Sequence, residues 1–405
     1  MPYLFCLFFA FSMTGLFGLQ GAVPLGLSLK NGVIMHEGKP IYTAGVNYID
    51  AFTRTLQSSE DRSYEGGFED LRSNEIRLAR VALIPWWPYE FKLYFEDKAE
   101  FYRRLDAFVQ SAEKNKIGLI FSFYFKSSAV PDMMQEPQNA YGDPKSRTID
   151  FVRTFTKEVV ERYRNSPAIW GWEFGNEMDL FVDLPEGNRG GDSVGPIFDK
   201  KNKNSWWCPA VRTEKDSLKT ADMLHAMKVF AESVRALDSS RILLTGNARP
   251  REGAWHINHQ GKWGKDSPEQ YLEMLMLWNP EPYLITQHIY RQDEGVTFFD
   301  QVRADFRYAQ KNKRGYYLGE WGWGLQIKDR LDEPENAEKT ARMKLEVEEF
   351  LRVIEEEGMQ ISTMWVYDFS TKSVDSQWFS FTGKNRRSWV LEKLRDFNRN
   401  REKVK

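Results

Sequence analysis

Ile169-Trp170-Gly171-Trp172-Glu173-Phe174-Gly175-Asn176-Glu177 is an apolar, strand-forming stretch that ends in an acid. A second stretch of the same kind runs from Tyr316 to Glu320 and is followed by Trp321. A carboxylate that closes an apolar strand is costly unless the strand end opens into a polar site. The two stretches therefore predict buried strands with their acids at a functional edge.

The rest of the chain alternates apolar strands with amphipathic helices, and helical spacing recurs within 101–112, 152–163 and 347–354. The candidate strands are 42–47, 76–84, 117–124, 168–174, 241–245, 283–288, 316–319 and 362–366. Strands that alternate with helices indicate parallel βα units. Eight such units close a barrel, whereas five or six would favour an open doubly wound sheet.

We therefore predict an α/β chain of the (β/α)₈ TIM-barrel class, with a single domain. Its 405 residues exceed the roughly 250 of a plain barrel, a fold that tolerates large insertions. Two connections are long, 179–213 after strand four and 249–267 after strand five. Both follow strand C-termini, so we expect both on the catalytic face. No glycine-rich phosphate loop follows the first strand, which weakens a dinucleotide-binding alternative.

The N-terminal segment differs from the rest of the chain. Residues 1–21 carry no charged side chain, contain an apolar run from Leu4 to Phe11, and are followed by the small residue Ala22. This predicts a signal peptide over 1–21, a catalytic domain over 22–405, and a secreted or periplasmic protein. No Lys or Arg precedes the apolar run, which departs from the usual pattern. The alternatives are a buried N-terminal strand or an uncleaved anchor. No later stretch approaches the length of a membrane span.

The composition restricts the class of ligand. A formal net charge of −2 gives no indication of nucleic-acid binding. Aromatic residues make up 15%, with 14 Trp, and such an excess is typical of proteins that stack flat ligand faces. A Trp-rich core is the alternative explanation.

Glu177 and Glu320 meet the requirement for cleaving a glycosidic bond with retention of configuration. That reaction needs two carboxyl groups about 5 Å apart, one to protonate the leaving oxygen and one to attack the anomeric carbon. In a barrel the pair must come from the C-terminal ends of different strands, and these two acids close the fourth and seventh candidate strands. A salt-bridged carboxylate at the rim is the alternative for either acid alone.

Several separate motifs, in order and on the expected strands, resemble one enzyme family. The chain after residue 27 is similar to clan A of the glycoside hydrolases, and most similar to family 5, the cellulase and mannanase family. The matching motifs are Arg80 on strand two, Asn176-Glu177 after strand four, His288-Ile289-Tyr290 ending strand six, Gly319-Glu320 on strand seven, and Trp365 on strand eight.

The resemblance implies a retaining β-glycoside hydrolase that uses neither cofactor nor metal and binds a carbohydrate substrate. Glu177 would be the acid/base and Glu320 the nucleophile. Asn176 would donate to the sugar 2-hydroxyl, and Trp365 would lie under the sugar beside the cleaved bond.

The resemblance also implies partners for the two acids. Arg80 and Tyr290 would hydrogen-bond Glu320 and keep it ionised, because partners of the charged form lower a carboxyl pKa. Arg77 is the alternative to Arg80, and an interior salt bridge is the alternative role for Arg80. His288 would lie near Glu177 and help set its proton, or it would be a satisfied core histidine.

One departure bears on the substrate. Many family members close strand three with a histidine, whereas this chain has Ile120-Phe121-Ser122-Phe123-Tyr124 there. We expect Tyr124 to occupy that space. The departure argues against a plain cellulase, so mannan is the first expected substrate and β-glucan the second. Exo or endo action and the oligomeric state are left open.

Tryptophans in the predicted catalytic-face loops are candidates for sugar subsites. Trp206, Trp207 and Trp323 are the expected substrate-binding residues, and two or three of the loop tryptophans should form subsites. The others in these loops are Trp255, Trp263 and Trp378.

Two other kinds of protein compete with this interpretation. Asp50, Asp179 and Asp368 lie near strand ends and would support a metal-dependent barrel enzyme with three carboxylate ligands. That alternative explains neither Asn176 nor His288. A catalytically silent carbohydrate-binding barrel would need one acid to be missing, and both are present.

Overall fold

The computed structural model of the chain describes residues 24–184, 213–290, 298–324, 337–370 and 378–403. Its strands fall into a small N-terminal sheet and a large parallel sheet. The strands of the small sheet are β1 (Leu27–Lys30), β2 (Val33–His36) and β3 (Lys39–Pro40). Those of the large sheet are β4 (Thr43–Asn47), β5 (Leu78–Ala82), β6 (Gly118–Tyr124), β7 (Ile169–Gly175), β8 (Ile242–Leu244), β9 (Ile285–Tyr290), β10 (Tyr316–Gly322) and β11 (Ile361–Met364).

The helices follow the strands in the order expected of βα units. They are α1 (Thr53–Gln57), α2 (Ser63–Ser73), α3 (Lys92–Glu96), α4 (Lys98–Asn115), α5 (Ala129–Met134), α6 (Arg147–Tyr163), α7 (Thr220–Arg235), α8 (Ala254–Gln260), α9 (Pro268–Leu277), α10 (Phe298–Lys311), α11 (Ala337–Glu357) and α12 (Trp389–Lys403). Within the described ranges, no helix has the length and apolarity that a membrane crossing requires.

The large sheet is a barrel. Its strands pair in parallel in the order β8-β7-β6-β5-β4-β11-β10-β9. The two ends of this order meet, since Leu243 bridges Tyr283 in parallel and the Leu284 N–H donates to the Leu243 carbonyl at 2.9 Å. The predicted (β/α)₈ barrel is therefore confirmed, and each of its strands overlaps one of the eight predicted ones.

The strand bounds differ from the predicted ones in informative places. β10 continues past the predicted end at Gly319 to Gly322, because the register against β9 shifts between Leu318 and Glu320. The strand continues past this bulge, which changes the direction of the Glu320 side chain. The long connection 249–267 is less irregular than expected, since it contains α8.

The core has two layers, one between the barrel strands and the helices and one at the N-terminal end of the barrel. The larger layer lies between strands and helices, where the apolar face of α6 buries Val152, Phe155, Val159 and Val160. The smaller layer lies at the N-terminal end of the barrel, where Leu27 and Ile34 of the small sheet join barrel residues. Gln360 fastens this sheet to the barrel, because its side-chain amide both accepts from and donates to the backbone of Ile34 at 2.7 Å. The N-terminal end is thus closed, and the open end is the catalytic face.

Candidate active site

Arg80 lies at the centre of the site, fully buried in the barrel interior. Its Nε donates to Glu173 at 2.7 Å and its Nη1 donates to Glu320 at 2.7 Å. Nη1 also donates to Asn47 Oδ1 at 3.1 Å, and Nη2 donates to Asn176 Oδ1 at 2.8 Å. A buried guanidinium is tolerated when its donors are paired with charged and polar acceptors. The arginine therefore connects residues in or directly after three other strands, β4, β7 and β10.

Glu320 is held from two sides. One oxygen accepts from Arg80, and the other accepts from the Tyr290 hydroxyl at 2.7 Å. The bulge in β10 places Glu320 opposite His288 of β9. The side chain is 5% exposed, so its orientation is set by these contacts rather than by water.

The backbone before Glu320 leaves no room for a side chain. A Cβ on Gly319 would lie 2.9 Å from Nε2 of His288 and 3.2 Å from Tyr317. The Gly319 carbonyl accepts from Asn47 and from Thr363, which prevents the backbone from moving away. Glycine is therefore required one residue before the acid.

Glu177 follows β7 in the left-handed backbone region, with φ 48° and ψ 31°. A non-glycine residue held there stores roughly 1–3 kcal/mol of strain. Its N–H donates to the Gly246 carbonyl at 2.7 Å, which fixes the acid from the end of β8. A carboxylate oxygen of Glu177 lies within 4.8 Å of one of Glu320. This separation matches the short spacing of retaining glycosidases rather than the longer spacing of inverting ones.

His288 lies between the two acids. Its Nδ1 is 3.1 Å from Glu177 Oε1 and 3.4 Å from Glu320 Oε1. Burial lowers the pKa of His288 to about 3, despite the opposing pull of the Glu320 charge. The ring is therefore neutral near pH 7, and its Nδ1 faces both carboxyl groups.

The two carboxyl groups differ in how their charges are compensated. Burial raises the pKa of Glu177 to about 7, and only the more distant Arg80 charge opposes the rise. Burial also raises the pKa of Glu320, an effect that His288, Arg80 and Tyr290 all oppose. Arg80 and Tyr290 do hydrogen-bond Glu320 and lower its pKa, but the effect of burial is larger.

Asn176 and Trp365 complete the sequence-predicted cluster. Asn176 is 9% exposed, and because its Oδ1 accepts from Arg80, its Nδ2 is the group left to donate. Trp365 is partly buried and packs against Ile49, Ala82 and Phe125. Both residues lie on the catalytic face beside Arg80.

Trp323 does not belong to the site. Its side chain is fully buried, stacks on Phe379 with ring centroids 6.0 Å apart, and donates from Nε1 to the Trp378 carbonyl. The prediction that Trp323 binds substrate is wrong, because no face of its indole is open to a sugar.

Tyr124 and Arg77 also lie away from the site. The Tyr124 hydroxyl contacts Val152 and Thr156 of α6, so the side chain points out of the barrel and does not fill the space of the absent histidine. Phe125, one residue later, lies over the Arg80 guanidinium at 5.7 Å. Arg77 is exposed, and Arg80 is the arginine that reaches Glu320.

The remaining loop tryptophans, which were candidates for sugar subsites, differ in their exposure. Trp206 and Trp207 lie outside the described residues. Trp263 is 54% exposed, whereas Trp255 is partly buried and donates to Glu273. Trp378 is partly buried, and its carbonyl accepts from Trp323.

The carboxylates proposed for a metal site do not meet. Asp50 and Asp368 both pair with Arg54, at 2.7 and 2.9 Å, while Asp179 is buried and accepts from the Ala248 N–H. Among the described residues, the group with metal-ligand spacing is Glu177, His288 and Glu320. The Arg80 guanidinium on Glu320 opposes a cation there, since like charges repel at close range.

Two residues of the Arg80 network were missed by the sequence reasoning. Asn47 ends β4 and pairs in register with Arg80, and its Nδ2 also donates to Gly319. Glu173 is fully buried within β7. The available signal was a polar residue inside an apolar strand, which requires a partner.

The family model described as cellulase (glycosyl hydrolase family 5) matches residues 37–369, which is most of the chain. A (β/α)₈ barrel with two neighbouring strand-end carboxyl groups is the framework of a glycoside hydrolase. The chain belongs to glycosyl hydrolase family 5.

Curated relatives match over shorter stretches. Probable mannan endo-1,4-beta-mannosidase F of Emericella nidulans is 42% identical over 82 residues, which cover 18% of this chain and 19% of that protein. The protein described by the same name in Aspergillus flavus is 29% identical over 163 residues, covering 35% and 34%. The chain thus aligns with about a fifth to a third of these relatives.

Solved structures show the same fold at low identity. The endo-1,4-beta-mannanase from Rhizomucor miehei has a TM-score of 0.61 and 16% identity, covering 93% of this chain and 99% of that one. An exo-beta-1,4-mannosidase from Opitutaceae bacterium strain TAV5 has a TM-score of 0.64 and 14% identity, covering 93% and 62%. A beta-glucanase from Saccharophagus degradans has a TM-score of 0.55 and 16% identity, covering 93% and 94%.

Replacing Gly319 by alanine should disturb the site and the fold together. The new Cβ would displace the His288 ring from its position against both acids, and overpacking of this kind costs about 1–3 kcal/mol. Urea unfolding should show the loss of stability, and turnover of glycosides should fall. The control is Gly66→Ala in α2, where a Cβ meets nothing within 4 Å. Equal stability of G319A and the unmodified chain would contradict the packing argument.

Proposed function

We propose that the chain is a retaining β-glycoside hydrolase that cleaves β-linked mannan or its oligosaccharides. Glu177 acts as acid/base and Glu320 as nucleophile. The observation that carries the proposal is the approach of the two carboxyl groups to within 4.8 Å of each other. Such closeness leaves no room for a water between Glu320 and the anomeric carbon, so the carboxylate itself attacks.

In the first step, protonated Glu177 gives its proton to the glycosidic oxygen. The carbon–oxygen bond breaks, its electron pair stays with the leaving oxygen, and a Glu320 oxygen bonds to the anomeric carbon. The two groups suit these roles, because Glu177 has few partners for its charge and Glu320 has Arg80 and Tyr290.

In the second step, ionised Glu177 takes a proton from water while the water oxygen bonds to the anomeric carbon. The bond to Glu320 breaks, and both acids return to their starting states. Asn176 Nδ2 donates to the sugar 2-hydroxyl, and Trp365 supports the sugar ring at the cleaved bond. The neutral His288 donates to the carboxylate that is charged at each stage, which eases the exchange of roles.

Mannan is the proposed substrate because the curated relatives are named as mannan endo-1,4-beta-mannosidases. β-Glucan is the second candidate, since a beta-glucanase shares the fold. We also propose that residues 1–21 are an export signal, so that the enzyme acts outside the cytoplasm on a polymer. Trp206 and Trp207 are proposed as sugar-binding residues of the connection after β7.

A panel of purified polysaccharides tests the substrate. We expect release of reducing ends from β-1,4-mannan at a rate well above that from β-1,4-glucan or β-1,4-xylan. Product sizes from mannan distinguish exo from endo action. A higher kcat/KM on glucan than on mannan would reject mannan as the substrate and keep the reaction class.

Substitutions of the two acids separate their roles. Glu320→Ala should abolish turnover of all glycosides, because no covalent intermediate can form. Azide should restore part of the turnover and give the inverted glycosyl azide. Glu177→Ala should slow substrates with poor leaving groups by about 10²- to 10⁴-fold. With an activated aryl glycoside, E177A should still form the glycosyl-enzyme and stall, and azide should then give the retained product.

Product configuration read by NMR checks both variants. Rescue products of the opposite configuration would reverse the two assignments. Full activity of either variant would place the chemistry elsewhere in the barrel.

The pH profile should be bell-shaped. Glu177 must be protonated for the first step, and burial raises its pKa to about 7, so kcat/KM falls as pH rises through that value. Glu320 must be ionised, so activity also falls on the acid side, at a pH above the ordinary carboxyl pKa. Because the two carboxyl groups interact, the pKa values read from the acid and alkaline sides of the profile belong to the Glu177–Glu320 pair.

Glu177→Gln, assayed with an activated aryl glycoside in the glycosylation step, should lose the alkaline limb. Asp179 supplies the matched control, because burial raises its pKa to about 7 as well. Asp179→Asn should keep the limb. If D179N removed the limb and E177Q kept it, Asp179 would be the group that controls activity.

A further inference from the structure

Trp86 is an exposed indole on the catalytic face that the mechanism above does not use. It lies in the connection after β5 and is 41% exposed. Three neighbours hold it: Trp87 with ring centroids 6.3 Å apart, Phe125 with centroids 6.1 Å apart, and Lys126, whose Nζ lies 5.3 Å from the ring centroid. An indole with a fixed orientation and an accessible face differs from a mobile surface side chain.

The support under Trp86 is built from two connections. Lys126 follows β6 and is 3% exposed, and its Nζ lies 4.3 Å from the ring centroid of Trp87. Cation–π contacts of this kind hold ammonium groups against indole faces. Lys126 lies over the Trp86 ring, and 41% of the residue's surface still faces solvent.

The Trp86 platform is continuous with the catalytic centre. Phe125, which contacts Trp86, also lies over Arg80, whose guanidinium binds Glu320. Trp365, the residue proposed to support the sugar at the cleaved bond, packs against the small apolar cluster of Ile49, Ala82 and Phe125. Phe125 therefore connects Trp86 to the Arg80 guanidinium, and it belongs to the cluster against which Trp365 packs.

Hydrogen-bonding groups lie on the same side of the barrel. Glu90 is four residues after Trp86, and its carboxylate accepts from the Tyr89 hydroxyl at 3.2 Å and from Gln57 Nε2 at 3.0 Å. Tyr89 is 39% exposed. A flat apolar face near amide, hydroxyl and carboxylate groups suits a pyranose, which has a C–H face and a rim of hydroxyls.

The position of Glu177 indicates which part of the substrate Trp86 would contact. Glu177 contacts Gly246 after β8 and His288 of β9, so in the proposed mechanism its proton reaches the leaving oxygen from that half of the barrel. Trp86, Phe125 and Trp365 belong to the connections of β5, β6 and β11, in the other half. Trp86 thus lies on the side of the sugars that stay on the enzyme after the first step.

We propose that Trp86 is the stacking platform of an outer sugar subsite, which binds a pyranose of the chain that remains attached to Glu320. The inference rests on the proposed glycosidase function and adds a specific determinant of substrate length. If the inference is right, oligosaccharides long enough to reach Trp86 bind more tightly because of it, whereas shorter ones do not.

Binding measured without turnover tests the platform. In a Glu320→Gln background, titration calorimetry with β-1,4-linked mannobiose through mannohexaose should show affinity that rises with length. Adding Trp86→Ala should lower the affinity for mannohexaose by about 3- to 10-fold, as expected for one lost stacking contact, and lower that for mannobiose less. Trp86→Phe should restore part of the loss, because it keeps an aromatic face.

Phe95→Ala is the matched control, since Phe95 is an aromatic residue of equal exposure, 42%, on the nearby α3. It should leave the dependence on length unaltered. An equal loss for mannobiose and mannohexaose in W86A would show a general structural effect and overturn the platform.

Turnover tests the side of the substrate. With Glu320 restored, W86A should change which bond of mannopentaose is cleaved, read from products formed in ¹⁸O-labelled water. A loss confined to substrates extended on the leaving-group side would overturn the placement. If the E320Q protein bound no oligosaccharide and the unmodified protein cleaved none, the glycosidase function would fail. Unaltered length dependence of W86A in an active enzyme overturns the inference alone.

Discussion

The burial of one guanidinium determines the arrangement of the whole site. Arg80 has no contact with solvent, so its donors must find acceptors inside the barrel, and they bind Asn47, Glu173, Asn176 and Glu320. These acceptors lie in or directly after three different strands, β4, β7 and β10, so one side chain fixes their relative positions. Removing a partner would leave a buried charge uncompensated, a loss of several kcal/mol. The hydrogen bonds that stabilise the barrel interior are therefore the same ones that orient Glu320.

Charge balance around that arginine explains why the two acids behave differently. Glu173 and Glu320 both touch the guanidinium, whereas Glu177 lies further from it and has the neutral His288 as its neighbour. A site with one cation and three carboxyl groups favours keeping one proton, and the acid with the least compensation retains it. This difference in environment suits Glu177 to the proposed role of acid and Glu320 to that of nucleophile.

Most of the fold was predictable, because eight apolar strands and their helices leave a clear periodic pattern. The placement of Arg80, Glu177, His288 and Glu320 followed from strand ends and motif order. Asn47 and Glu173 were missed because a polar residue within a strand gives no indication of its partner. Tyr124 and Trp323 were misplaced for a related reason. Sequence position puts a side chain near the catalytic face, but whether it points inward or packs between strand and helix depends on tertiary contacts.

The connection after β7, which contains Glu177, is hydrogen-bonded to the connection after β8. Glu177 binds the Gly246 carbonyl, Asp179 accepts from Ala248, and Arg251 donates to the carbonyls of Asp179 and Val182. A Cβ on Gly246 would lie 1.8 Å from the Gly175 carbonyl, so the two strand ends are in direct contact. The position of Glu177 is therefore set by contacts with the connection after β8. A substitution at Arg251 or Gly246 would consequently alter the geometry of an acid that neither residue touches with its own side chain.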